Sequence, residues 1–493
     1  MIRLTRLDLN RRHALINNLK GKEMKVIKIG GGCLKDKNNI GHIIDLIVKR
    51  GRGHIFVVSA INGVTDILIN GMSEALGDEQ TIPEIIGRLR NKHILVARHL
   101  ISTGNVYKKF NRGLNRVLSE LERLYYGLNF TREITPRIRD VISSFGERFA
   151  VELLASALCC RGVQTAYRMP HNIGLITDGK FGDATANLSK TTRNLQRHLR
   201  PLIQQKTVLL IPGFFGISEG GDITTFGRGG SDYSAAVVAR AMKVETLEIW
   251  KDVAGYLSAD PRIISEAKLI PVLSYDEAAE LSYFGASILH PRTIEPLRRS
   301  KLTIAIKNTL NPDAPGSLIT PKRTRSKGDI KSVAYDTDIG ILKVHSSGVG
   351  ARPGVLALVA GQLTENGINI KSVVTSQTCI SLLLTLNDLD PGQQALQSLR
   401  PKPYRRLEKI EDVSLVSIVG EGIVQRKGIA ARCFTAVARC NVNVEMISFG
   451  PSRVALYFLV RNRDLKTAVR AIHSTFFSAP NYDRLFAAPA TRS

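Results

Sequence analysis

Acidic residues are scarce in this chain. It has 43 Asp and Glu against 69 Lys and Arg, a formal charge of +26 over 493 residues. The excess fits anionic partners such as nucleic acid, acidic membrane or phosphorylated substrates, without choosing among them. No stretch reaches the ~18–20 uninterrupted apolar residues of a membrane-spanning helix. The six cysteines form no CxxC pair, which excludes a disulfide scaffold and the common zinc modules. The neighbours Cys159 and Cys160 fall in an apolar run and read as core thiols of a reducing compartment. A single Trp, and no basic helix repeat or basic strand with interleaved aromatics, argue against nucleic-acid recognition. The Walker A pattern is absent. What is present is a hydrophobic content of 43%, ordinary for a globular chain and too high for a mostly disordered one. The length predicts two to four domains at ~100–200 residues each.

Residues 1–23 are basic and lack both Ser and a continuous apolar core. That is not the pattern of a secretory signal. They read as a loose extension or an early start, with an organelle address as the alternative. Met24 precedes the first convincing strand, around residues 26–29, and three glycines follow at once. A helix pattern and the strand 54–60 come next. This order predicts a parallel sheet covered by helices. Residues 73–125 have helical spacing. A helix is predicted over 138–162, ending at Gly162. The strand 207–216 runs into a Gly-rich loop, then a helix at 232–242 and a strand at 246–250. The α/β pattern holds to about residue 310.

Residues 311–329 are rich in Pro, Gly and basic residues and read as a surface connection. Two similar α+β units follow, offset by roughly 75 residues, with corresponding joints GINIKSVV and NVNVEMIS. The predicted organisation is an extension at 1–23, a catalytic domain at 24–310 and a linker at 311–332. Two small modules follow at 333–410 and 411–493, and the C-terminal end is a candidate to complete the first.

Glycine-rich turns follow three strands, at Gly30-Gly31-Gly32, Gly213 to Gly216, and Gly227 to Gly230. Bare backbone amides there can approach phosphate oxygens. Lys28 lies just before the first turn. Arg228 offers a planar fork suited to a carboxylate. Ser231 and Asp232 fit either a ligand contact or a helix N-cap. Glu147 fits a solvated charge paired with Arg148, or a carboxylate that holds a substrate ammonium.

Seven segments occur in order: MKVIKIGGG, VVSAINGVTDIL, SSFGERFAVELLASAL, GFFG, TTFGRGGSD, IWKDVAGYLSADPR and FGASILHPRTIEP. Together they closely resemble the catalytic domain of aspartate kinases, and the two C-terminal units resemble the tandem ACT domains of those enzymes. The resemblance runs from about Met24 to about residue 480. It implies the amino-acid kinase αβα sandwich followed by two ferredoxin-like ACT domains. It implies ATP-dependent phosphorylation of the L-aspartate β-carboxylate, the entry step to lysine, threonine and methionine, with Mg2+ held mainly by the nucleotide phosphates.

Carried over by position, Lys28, Gly30, Gly31 and Ser59 line the phosphate path. Thr65, Glu147, Phe214, Arg228, Ser231 and Asp232 match aspartate-site positions, with Arg228 on the α-carboxylate and Glu147 on the ammonium. Lys28, Arg228 and Asp232 form the expected catalytic set. Lys251, Asp252, Leu257, Arg262 and Ser287 match nucleotide-site positions. The resemblance also implies effector contacts at Ser346, Gly350 and Gly354, and at Val374, Thr375, Ser376 and Gln377. It implies a homodimer or homotetramer through the ACT region, with lysine or threonine as effector, in the cytoplasm, with no membrane and no specific nucleic acid as partner.

Five positions depart from the family pattern. The first loop reads Gly32-Cys33 where hydroxyl side chains are usual. Ser287 replaces a common Lys, Lys251 a usual Thr, and Leu257 a frequent Tyr. Ser287 and the Gly32-Cys33 loop motivate a competing reading, an amino-acid-binding regulatory protein on an inactive kinase scaffold.

Overall fold

The computed structural model describes residues 24–478 apart from 103, 286–287, 322–329, 348 and 351. The basic extension, Ser287 and residues 322–329 of the expected linker lie outside the described residues, and Ser317–Thr320 within that linker is a strand. The chain forms two compact units. The first runs to Ala254 and resumes over Arg292–Pro315; the second takes Gly255–Pro291 and the chain from Gly316 onward.

The first unit is built on a parallel sheet. Its strands are β1 (Val26–Ile29), β2 (Ile55–Val58), β3 (Thr165–Tyr167), β4 (Val208–Pro212), β7 (Thr246–Lys251) and a last strand, Thr303–Asn308. Between β4 and β7 the chain forms a hairpin, β5 (Phe215–Ile217) with β6 (Ile223–Thr225). The sheet order is β3-β4-β2-β1-β7, then Thr303–Asn308, all parallel. Every residue of β1, β2 and β4 is buried, as a sheet covered on both faces requires. Ile27, Ile29, Phe56 and Val58 face a core shared with the helix Phe145–Cys160. Alternation along β1 sends Val26 and Lys28 to the other face, toward the helix Gly230–Met242.

Helices Val64–Gly77, Ile82–Leu100 and Asn105–Thr131 form the helical subregion expected around 73–125. The single helix expected at 138–162 is two helices, Pro136–Ser143 and Phe145–Cys160, broken at Ser144. Cys159 is exposed and Cys160 half-buried, so neither is a core thiol. They occupy the last turn, where the helix leaves the core.

The second unit holds two four-stranded antiparallel sheets. One has the order Ser372–Thr375, Cys379–Leu384, Gly340–His345, Arg406–Ile410. The other has Ser332–Asp336, Val413–Val419, Ala455–Arg461, Met446–Phe449. The repeat seen in the sequence is structural. Gly354 and Gly428 both cap helix N-termini at positive φ (91° and 85°), and the two joints become Ser372–Thr375 and Met446–Phe449.

The modules interleave. Ser332–Asp336 pairs with Val413–Val419, the sheet of the later module. The C-terminal helix Leu465–His473 packs in that later module's core. Residues 255–291 also belong to this unit. Ala259, Ile263 and Ile264 enter the same core, and Val333 N donates to Ser258 O at 2.9 Å. Buried Glu277 accepts from Lys331 Nζ at 2.6 Å and from the Glu421 amide at 2.9 Å, tying the segment to both neighbouring strands' ends.

Candidate active site

The site lies where β1, β2, β4 and β7 end together, the edge at which open parallel sheets bind ligands. Register sets Lys28 level with Val57 and Ile249, so its side chain leaves the sheet near this edge. Its ammonium lies 2.6 Å from Asp232 Oδ1, and both side chains are nearly buried. Asp232 sits in the first turn of Gly230–Met242, where the helix dipole favours a carboxylate.

Glu147 begins the neighbouring helix and is only 4% exposed. Its Oε1 accepts from the Ala60 amide at 3.1 Å and from Ser231 Oγ at 3.4 Å. Its Oε2 is buried with no hydrogen-bond partner. Burial pushes its pKa up to about 8. The pairing with Arg148 that the sequence allowed does not form: Arg148 binds Glu120 at 2.8 Å.

The remaining expected first-unit residues lie on strand ends, turns and helix starts of the same unit. Ser59 follows β2, and its amide donates to Ile29 O at 3.3 Å. Thr65 opens the helix Val64–Gly77 beside Gly146. Phe214 takes a positive φ of 74°, held by its amide bond to Ser234 Oγ at 2.8 Å. Arg228 is exposed on the turn that enters Gly230–Met242. Gly30 and Gly31 differ in state. The Gly30 amide donates to Trp250 O at 3.2 Å and is spent on the sheet, so Gly31 is the next amide of the turn.

Of the residues expected to meet the nucleotide, Lys251 ends β7. Burial pushes its pKa down, with Asp232 acting against that and Lys28 adding to it. Asp252 binds Lys35 at 2.8 Å, a hydrogen bond that holds its carboxyl below the usual range. The departure at Gly32 has a packing reason: a Cβ there would lie 3.1 Å from Asp252 Oδ1. Cys33 is buried and directs its thiol at Trp250 O, 3.3 Å away, with Thr309 Oγ1 at 3.8 Å. A hydroxyl in its place would meet the scaffold, so the thiol costs the loop no outward donor.

Leu257 and Arg262 belong to the second unit. Leu257 O accepts from Ser332 Oγ at 2.8 Å. Arg262 forks onto Asp260 at 2.6–3.1 Å, and this hydrogen-bonded fork lowers the Asp260 pKa to about 2. In the first ACT-like module, Ser346 N donates to Thr378 O at 2.8 Å and Gly350 N to Gln377 O at 3.2 Å. Those bonds bring the loop around Ser346 and Gly350 against Gln377. Val374 and Thr375 end the strand that leads to Ser376 and Gln377, while Gly354 caps the helix Val355–Glu365.

Two residues given no role on the sequence brace the segments on either side of Gly227. Asp140 is 2% exposed and accepts from Thr225 N, Thr225 Oγ1 and Gly182 N at 2.7–2.8 Å. Its signal was a lone acid on the apolar-facing side of a predicted helix. Arg292 sits inside FGASILHPRTIEP, and two of its partners are backbone carbonyls of distant segments, Phe226 O and Ala184 O, which no side-chain pattern reveals.

The amino acid kinase family model matches residues 23–308, and an ACT domain model matches 416–476. The chain therefore belongs to the amino acid kinase family. Aspartokinase 1 of Arabidopsis thaliana, named as chloroplastic, is 31% identical over 94% of this chain and 82% of that protein. Aspartokinase 2 of the same plant, also chloroplastic, is 32% identical over 93% of this chain and 85% of that one. A crystal structure of E. coli aspartokinase III with aspartate and ADP superposes with a TM-score of 0.78 at 28% identity, covering 92% of this chain and all of that one. Within the family, the chain takes its place among the aspartokinases. These likenesses favour the kinase over the inactive regulatory scaffold.

Proposed function

We propose that this chain transfers the γ-phosphoryl group of ATP to the β-carboxylate of L-aspartate. The products are 4-phospho-L-aspartate and ADP. A carboxylate oxygen forms the new bond to phosphorus, and the bond from the γ-phosphorus to the β,γ-bridging oxygen breaks. The nucleophile is already ionised at neutral pH, so no general base is required. The protein's work is alignment and charge neutralisation.

The observation that carries this reading is the orphan Oε2 of Glu147 beside the Lys28–Asp232 pair. A buried carboxylate with an unused acceptor suits the ammonium of a small zwitterion. Arg228 supplies the fork for its α-carboxylate, and Phe214, Ser231 and Thr65 shape the pocket. Lys28 offsets charge on the transferring phosphoryl group while Asp232 holds its ammonium in place. Gly31, Ser59, Lys251 and Asp252 border the polyphosphate.

Mg2+ would neutralise charge on the nucleotide's phosphates. The two carboxylates at this edge, Asp232 and Asp252, each already carry a lysine partner. Among the described residues no cluster of three or more His, Cys, Asp or Glu forms a metal cage. That donor set fits a metal held mainly by phosphate oxygens.

The test is hydroxamate trapping of the acyl phosphate with ATP and L-aspartate. Wild type should give aspartyl hydroxamate, and Lys28→Ala should lose about 100-fold or more in turnover. Absence of product from the wild-type protein would overturn the reading.

We assign feedback control to the ACT units, with lysine as the effector. Lysine is the ligand named with aspartate in a structure of E. coli aspartokinase III that shares 28% identity with this chain. Ser346, Gly350, Gly354 and Val374 to Gln377 form the proposed contact region. Exposed Val373, Ile447 and Phe449 on the outer strands Ser372–Thr375 and Met446–Phe449 support pairing of subunits there. The proposed assembly is a homodimer or homotetramer. No described helix is long and apolar enough to cross a membrane. All six cysteines are free, which fits a reducing compartment. We place the enzyme in the cytoplasm, and fluorescent fusions with and without residues 1–23 distinguish this from an organelle.

A further inference from the structure

We propose that Arg292 is a positioning residue for the aspartate-binding turn Gly227–Ser231. The proposal rests on the reading of Arg228 as the fork for the substrate's α-carboxylate.

Arg292 is the first residue of the segment that returns to the first unit. Its Nη1 donates to Phe226 O and to Asp183 Oδ1, each at 2.6 Å. Its Nη2 donates to Ala184 O at 2.6 Å and to Thr185 Oγ1 at 3.3 Å. Its guanidinium lies over the Tyr233 ring, 4.9 Å from the centroid.

Phe226 immediately precedes the turn and Tyr233 immediately follows Asp232. One planar cation therefore grips the chain on both sides of the residues that face substrate. The turn also rests on the strip that Arg292 binds. Gly227 has a φ of 68°, and a Cβ there would come within 2.7 Å of Gly182 O. Ala184 N donates to Thr225 O at 2.9 Å, and Ala186 N donates to Tyr233 Oη at 3.1 Å. Phe226, Ala184 and Tyr233 thus form one frame with Arg292 at its centre.

The chemistry requires arginine. Two Nη groups reach carbonyls on two separate segments while the plane stacks on an aromatic ring. A lysine is a point charge and cannot hold both carbonyls and the ring in one geometry. The side chain is 14% exposed, so water competes little for these bonds. Because Arg228 itself is exposed, its aim depends on the backbone on either side of it. A small misplacement of a binding group away from the chemistry has a large effect on how substrate is held.

The test compares wild type, Arg292→Gln, Arg292→Lys and Arg228→Ala by initial rates and thermal melting. Arg292→Gln is expected to raise the KM for aspartate about tenfold or more while the KM for ATP stays within about twofold. Arg292→Lys should recover part of that loss. An unchanged aspartate KM in Arg292→Gln overturns the proposal. So does a parallel fall in kcat, both affinities and melting temperature with Lys no better than Gln, which marks a merely structural residue. Should Arg292→Gln be insoluble, Asp183→Asn removes one partner at an exposed site and should raise the aspartate KM about two- to threefold with an unchanged melt; no change there overturns the proposal. Arg228→Ala separates the two readings. An unchanged aspartate KM in that variant removes the assignment of Arg228, and with it this proposal. A raised KM there with none in Arg292→Gln removes only the role of Arg292.

Discussion

The Lys28 ammonium stands 2.6 Å from the Asp232 carboxylate, with both side chains less than a tenth exposed. One comes from β1 in the interior of the sheet and the other from the first turn of a helix some two hundred residues later. Removing one partner of a buried pair leaves the other uncompensated. Asp232→Asn is expected to cost about 3 kcal/mol of stability, read by urea denaturation. It should also lower turnover, because Lys28 is no longer held in place. A stability within error of wild type would show that water reaches and satisfies Lys28.

Glu147 predicts a pH dependence. Burial raises its pKa to about 8, so at neutral pH the ligand-free carboxyl is mostly protonated. Aspartate's ammonium needs the ionised form. The KM for aspartate should fall about fivefold from pH 7 to pH 8 and then level off. Glu147→Gln should bind aspartate weakly with little pH response. For stability the sign is reversed. A carboxyl whose folded pKa is raised is most favourable below its unfolded pKa and loses that advantage as pH climbs through 8. Glu147→Gln should therefore be more stable than wild type at pH 8 by ~2–4 kcal/mol. Equal melting temperatures at pH 8 would contradict the burial argument.

Ser258 and His473 link the segment carrying Leu257 and Arg262 to the C-terminal helix. Ser258 Oγ lies 3.0 Å from His473 Nε2, and both residues are buried. This bond joins the segment with the proposed nucleotide contacts Leu257 and Arg262 to the core of the later ACT-like module. Ser258→Ala should change the KM for ATP and the lysine response together, by about two- to tenfold, and leave the KM for aspartate alone. Steady-state rates with and without lysine check this. A change confined to aspartate would refute it.

His93 makes an acid-stability prediction. It is fully buried, its ring packs 4.9 Å from Phe149, and its Nδ1 lies 2.7 Å from Leu89 O. Burial lowers its pKa to about 4. The folded state thus binds fewer protons than the unfolded one between the unfolded value near 6.5 and that lower value. Stability should decline as pH falls across this window, by up to about 3 kcal/mol near pH 4. His93→Leu should flatten this part of the profile in denaturant titrations at pH 7, 6 and 5.

Several features of the fold are legible in residue order. Apolar runs at 55–58 and 208–212, and the β-rich run 26–29 that carries Lys28, read as strands of a sheet covered by helices, and the glycines after 29 and 212 mark the edge where ligands bind. The ACT-like repeat is visible as matched joints. Other features are not. Nothing local shows that Ser332–Asp336 pairs with Val413–Val419, because alternation tells which face a strand buries and says nothing of its partner. The break at Ser144 is hidden inside an unbroken amphipathic pattern. Cys33 looked like a lost phosphate donor, yet its thiol is turned to Trp250 O, a direction that the backbone of the turn sets.

The sequence alone determined the class of sheet, the glycine turns and the residue types of the site, since periodicity and bare amides are local properties of the chain. The tertiary structure decided which charges lost their water. Glu147 and Arg228 are both charges in Gly-containing segments, but packing against Ala60 and Ser231 buries the first, while the second is exposed. Desolvation depends on what distant segments bring to a side chain, so it exists only once the chain has folded.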